Sequence, residues 1–166
     1  MDLLVEPAGW ARWGVWRLRC ALGKGGVRVA KREGDGATPA GTFAMRRMLY
    51  RLDRGVAPVT GLPTAPLAAD DGWCDDAADA AYNRPVKLPY RARAETLWRA
   101  DRLYDLVVVL GYNDDPPIAG AGSAIFLHVA AADYAPTEGC VALALDDLRR
   151  VLAEAGSTSR IVVKAP

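Results

Sequence analysis

Ile125-Phe126-Leu127-His128-Val129-Ala130-Ala131-Ala132-Asp133-Tyr134-Ala135-Pro136-Thr137-Glu138-Gly139-Cys140-Val141 is the stretch on which the reading of this chain turns. Its first residues belong to an apolar run, Ser123 to Ala130, short enough to be a buried strand. That strand carries His128, the single histidine in 166 residues. Twelve positions later Cys140 stands directly behind a glycine. A chain that needs an imidazole to take a proton from a thiol has no second choice here, so the pair points to nucleophilic acyl transfer. A thiolate attacks a carbonyl well and a neutral thiol does not. An adjacent imidazole takes the proton and returns it to a leaving amine. Gly139 lets the backbone bend so that N–H groups face a developing oxyanion, and such donors are worth about 3–4 kcal/mol each. A helix begins just after Cys140, and its N-terminal dipole is expected to favour the thiolate.

Outward from this stretch the chain reads as mainly β. Trp16, Leu18, Cys20 and Leu22 alternate with Arg17, Arg19 and Ala21, the period of a strand with one apolar face. Gly23-Lys24-Gly25-Gly26 reads as a turn and Val27 to Glu33 as the returning strand of a hairpin. Gly34 to Gly41 is a tight loop and Thr42 to Leu52 a further strand. Residues 53–93 hold five prolines and two acidic pairs, Asp70-Asp71 and Asp75-Asp76, and read as a long excursion of the lid or binding-loop kind. Leu106-Val107-Val108-Val109-Leu110 is apolar throughout, hence a central strand. Leu145 to Ala155 is a helix with Asp146 and Asp147 in its first turn, an apolar face of Leu145, Leu148, Val151 and Leu152, and Gly156 at its end. Ser159 to Lys164 is a closing strand. The length suits one domain, residues 1–166.

Composition narrows the function. The chain is 51% hydrophobic and 25% charged, with 21 Lys+Arg against 20 Asp+Glu. The arginines are scattered, which argues against a nucleic-acid partner. Cys20, Cys74 and Cys140 fit no zinc spacing, so no metal or other cofactor is expected. Cys20 falls on the apolar face of a strand and reads as structural; Cys74 lies among acids that disfavour its thiolate. Spacing alone leaves a Cys20–Cys74 disulfide open. No apolar run is long enough for a membrane span, and no signal peptide is visible at Met1 to Pro7.

Two segments resemble the YkuD-type L,D-transpeptidase catalytic domain. Gly34-Asp35-Gly36-Ala37-Thr38-Pro39-Ala40-Gly41-Thr42-Phe43 is similar to that family's G-x-x-x-T-P-x-G-x-F loop. His128 followed by Thr137-Glu138-Gly139-Cys140-Val141 is similar to its histidine and Ser/Thr-His-Gly-Cys-Ile/Val segment. The resemblance covers roughly residues 12–164, with the order of the motifs preserved. It implies a mainly β, β-sandwich-like fold with one C-terminal helix and the long insertion. It implies peptidoglycan stem peptides as partners, Cys140 as nucleophile, His128 as base and Gly139 in the oxyanion hole. It also implies a place in the cell envelope or periplasm and acylation by carbapenem-type β-lactams.

The chain departs from the family pattern at three points. Glu138 stands where the family usually has His, Ala142 where it often has Arg, and the His128–Thr137 interval is short. With Ala142 in that place another cation must hold the donor's carboxylates. Arg84 is the expectation, with Trp73 and Tyr82 as apolar walls and Pro85 stiffening the loop; the competing reading pairs Arg84 with Asp75 or Asp76. Asp133 or a backbone carbonyl orients the imidazole. The alternatives in function are an L,D-carboxypeptidase using water as acceptor, a peptidoglycan-binding β-domain without catalysis, and, more remotely, a sortase-like transpeptidase.

Overall fold

The computed structural model describes Met1–Pro166. In chain order its strands are β1 (Asp2–Glu6), β2 (Trp10–Trp13), β3 (Trp16–Ala21), β4 (Val27–Arg28), β5 (Thr38–Pro39), β6 (Gly41–Tyr50), β7 (Thr64–Pro66), β8 (Asp71–Cys74), β9 (Pro85–Lys87), β10 (Ala94–Thr96), β11 (Leu106–Leu110), β12 (Phe126–Val129), β13 (Val141–Leu143) and β14 (Arg160–Val163), with the helix α1 (Leu145–Glu154) between the last two. Eight strands in the order β11-β12-β13-β3-β2-β1-β14-β6 form a mixed sheet that closes because β11 also pairs with β6. The expected sandwich-like packing thus takes the form of one sheet folded onto itself, which leaves no free edge among these eight strands. Inside it Leu3, Val5, Trp13, Met45, Met48, Leu127, Leu143 and Ile161 are fully or almost fully buried. Leu148, Val151 and Leu152 of α1 join the same core, as the apolar stripe of that helix requires. The Trp13 indole N–H donates to Glu154 at 3.0 Å and fixes the helix end to β2. No helix is long and apolar enough to cross a membrane.

β11 explains where the site lies. All five of its residues are buried. Leu106, Val108 and Leu110 point into the barrel core, whereas Val107 and Val109 join a second apolar cluster with Leu49, Leu67, Trp73, Leu97, Tyr104, Phe126 and Cys140. A strand apolar on both faces needs a layer over each. The outer layer here is the excursion together with the segment that follows it, to about Tyr104. It is an ordered unit, carrying a three-stranded antiparallel sheet, β10-β8-β9, beside β7 on β6. Arg51, 5% exposed, ties it down: its guanidinium bonds Asp53 and the Arg99 carbonyl and lies 3.6 Å over the Trp98 ring.

The hairpin expected from Trp16 to Glu33 is not formed. β3 pairs instead with β2 across the two-residue turn Gly14-Val15, and its other edge takes β13. With both edges occupied, the chain after Gly23 has no place beside β3. Only Val27–Arg28 is a strand, and it runs parallel to Thr38–Pro39. The Gly23 segment packs on the Gly36–Thr38 backbone: a Cβ on Gly23 would stand 2.2 Å from the Gly36 oxygen and 2.9 Å from Gly139 Cα. Gly23→Ala therefore forces backbone apart in the loop that braces Cys140. The expected result is a loss of about 1–3 kcal/mol, read as a melting temperature several degrees lower. An unchanged melting temperature would show that the contact yields without cost.

Candidate active site

Alternation along β12 puts Leu127 and Val129 into the barrel and turns Phe126 and His128 outward. β13 runs parallel to β12 with Leu127 opposite Val141 and His128 opposite Ala142. Cys140 and Ala142 accordingly share the outward face with His128. A cavity of about 520 Å³ opens between this barrel wall and the outer layer, and His128, Cys140 and Ala142 all line it. The structure brings the two residues singled out in the sequence, His128 and Cys140, to one cavity wall.

His128 is 3% exposed, and its Nδ1 lies 2.9 Å from the Val129 carbonyl. A carbonyl can only accept, so Nδ1 carries the proton and Nε2 is the basic nitrogen. Asp133 takes no part in this; it accepts from the Ala135 N–H. Burial lowers the imidazole pKa to about 4, so the ring is neutral at neutral pH. The Cys140 thiol accepts from the Phe126 N–H and donates to the Ala124 carbonyl, each at 3.3 Å. Burial raises it to about 12. The expected stabilisation of a thiolate by the helix dipole is overturned here: desolvation dominates, and Asp146 and Asp147 occupy the first turn of α1. The resting pair is neutral thiol and neutral imidazole. Cys20 is also raised to about 12, first by burial, and Cys74 is raised by burial and the neighbouring acids. All three thiols are free. Cys140 is distinguished by its setting and not by its acidity at rest.

The turn at Cys140 is held by hydroxyls. Thr137 Oγ1 donates to the Cys140 carbonyl at 2.7 Å and accepts the Gly139 N–H at 3.1 Å. Thr38, fully buried in the Thr-Pro-x-Gly loop, accepts the Gly23 N–H and reaches the Cys140 carbonyl at 3.3 Å. Gly139 has φ +134°, and a Cβ there would meet the Ala37 oxygen at 2.8 Å, so no other residue fits. Its own N–H is spent on Thr137. The Cys140 N–H makes no hydrogen bond within the chain and is the free backbone donor beside the thiol. Gly139 serves that donor by shaping the turn.

A model of the L,D-transpeptidase catalytic domain, YkuD type, matches residues 10–163. The chain belongs to that family. An L,D-transpeptidase from Mycobacterium smegmatis is a similar solved structure, at 12% identity and a TM-score of 0.47, with 99% of this chain and 58% of that one covered; this chain thus spans less than two thirds of its length. No curated protein sequence matches significantly.

Within this L,D-transpeptidase domain the expected substrate-binding residues lie elsewhere. Arg84 is exposed and makes no ion pair, neither with Asp75, which Arg93 holds, nor with Asp76. It lines a separate cavity with Arg46, Arg47 and Phe126, away from the one that holds Cys140. Trp73, 6% exposed, packs edge-on against Phe126 and donates to Asn83. Tyr82, 4% exposed, donates its hydroxyl to Glu33 and accepts the Gly122 N–H. Both support the site from behind. Asn83 joins the outer layer to Cys140: its Oδ1 accepts the Ala124 N–H, and the Ala124 carbonyl accepts the thiol. Glu138 sits at the rim in an exposed pair with Lys24, of little energetic weight. Sequence reading missed Glu95, Tyr104, Arg99, Lys31 and Glu33, which also line the cavity. No group of three or more His, Cys, Asp or Glu side chains is arranged to hold a metal ion.

Proposed function

We propose that the domain is a cysteine peptidoglycan L,D-transpeptidase. Cys140 is acylated by a donor stem peptide, with loss of the residue after the acylated centre, and passes the acyl group to an amine of an acceptor stem. The observation that supports this reading is the joint placement of the family's His128 and Cys140 on one cavity wall, with Nδ1 held by the Val129 carbonyl and the Cys140 N–H unbonded within the chain. Because thiol and imidazole are both neutral at rest, proton transfer to Nε2 accompanies attack of Sγ on the carbonyl. The oxyanion is met by the Cys140 N–H, and the imidazolium returns its proton to the leaving amine. Water in place of the amine gives the L,D-carboxypeptidase outcome through the same thioester. The substrate places the domain in the cell envelope or periplasm.

Two measurements test this together. Peptidoglycan incubated with the protein, digested and analysed by mass, is expected to yield new cross-linked muropeptides. A carbapenem is expected to add covalently to Cys140 in a peptide map. Unchanged muropeptides together with an unmodified Cys140 would reject the reading, and shortened stems without new cross-links would assign the carboxypeptidase activity.

A further inference from the structure

Resting on that reading, we propose that Glu95 is the subsite for the acceptor's ammonium, holding the incoming amine beside the acyl group on Cys140. Glu95 lies on β10, opposite Trp73 of β8, and lines the cavity that holds Cys140 and His128. Its Oε1 accepts the hydroxyl of Tyr104, and Oε2 accepts nothing. The Tyr104 ring stands edge-on to the imidazole with centroids 5.1 Å apart. Carboxylate, phenol and imidazole are thus linked in one chain of contacts along the cavity.

Glu95 has no cationic partner. The cations of the cavity are committed elsewhere: Lys31 to Asp35, Arg93 to Asp75 and Arg99 to Asp101. The other acids are satisfied too, Glu33 by the Tyr82 and Ser123 hydroxyls and Glu138 by Lys24. A half-buried carboxylate whose nearest cation, Arg99, is already paired with Asp101 is only partly offset, and burial raises its pKa. Within the chain its one hydrogen bond is to the buried Tyr104 hydroxyl, which needs a single acceptor oxygen. A primary ammonium supplies the missing charge and has donors for the vacant Oε2. The protons also balance. An acceptor R–NH3⁺ loses two as its nitrogen bonds to the acyl carbon and the C–S bond breaks. The Glu95 carboxylate takes one, and the departing Cys140 sulfur takes the other by way of His128. Glu95 then releases its proton to solvent.

The test uses two methanethiosulfonates of opposite charge, the 2-aminoethyl and 2-sulfonatoethyl reagents. Each forms a mixed disulfide with the thiol and releases methanesulfinate. The ratio of cationic to anionic labelling rates at Cys140, followed by peptide mass, is expected to fall about tenfold in Glu95→Gln. Gln keeps an acceptor for Tyr104, so its melting temperature should be no lower than wild type. Tyr104→Phe removes the hydroxyl and keeps the charge, and should retain most of the ratio. In turnover, Glu95→Gln should lower transfer to an amine more than it lowers acylation. An unchanged labelling ratio in Glu95→Gln, or equal loss in both steps, overturns the proposal. Failure of the wild type to be acylated by any donor would reject the transpeptidase reading instead, and the labelling ratio would still decide whether Glu95 attracts an ammonium.

Discussion

Cys140→Ala removes all acylation and turnover and leaves the barrel standing. The substitution deletes one sulfur that makes two long hydrogen bonds, to Phe126 and Ala124. Its stability effect is about 1 kcal/mol, which for a domain of this size lowers the melting temperature by roughly 2–4 °C. Cys20→Ala and Cys74→Ala alter cores and should change melting temperature without touching chemistry, since Cys20 belongs to the barrel interior and Cys74 to the outer sheet. Peptide-mapped acylation and thermal denaturation of the three variants decide the matter. Chemistry lost in a folded Cys20 or Cys74 variant would remove Cys140 from its role.

His128→Gln is expected to slow acylation on the order of 10²–10⁴-fold, because no other imidazole exists in the chain to accept the proton. The neutral resting pair gives this prediction a pH signature. The base form of His128 is lost only as pH falls through about 4, so the acid limb of the wild-type profile lies well below the ordinary histidine value of 6.5. Stability follows the same group. Between about 6.5 and 4 the unfolded chain binds a proton that the native imidazole refuses, so the stability present above 6.5 is lost as pH falls across that window. On the alkaline side, alkylation of Cys140 by a neutral reagent should keep rising with pH, since its thiol ionises only near 12. A labelling plateau near neutral pH, or near-normal acylation in His128→Gln, would contradict a neutral pair.

The parts legible from sequence are those whose pattern has one physical meaning. Leu106-Val107-Val108-Val109-Leu110 could only be a strand covered twice, and it is. Leu145 to Glu154 carries a helical stripe and forms the helix. A lone histidine and a Gly-Cys turn pick out His128 and Cys140. The hairpin failed because alternation shows which face of a strand is buried and not which neighbour takes its edge; Gly14-Val15 is a weak turn signal beside Gly23-Lys24-Gly25-Gly26. Arg84 was chosen for its neighbours in sequence, yet the tight backbone at Asn83, with φ +55°, buries Asn83 and leaves Arg84 on another surface. Glu95 gave no signal, because an acid in a short strand reads as solvent-facing until another layer is known to close over it.

In the proposed mechanism, a nucleophile that is 6% exposed and protonated at rest has a consequence beyond turnover. Peroxides and adventitious disulfides react with thiolates, and the climb to sulfenic and sulfinic acids starts from that form. On the proposed reading, a sulfur kept as a buried thiol until a substrate carbonyl arrives oxidises slowly between turnovers, shielded by the same desolvation that sets its chemistry.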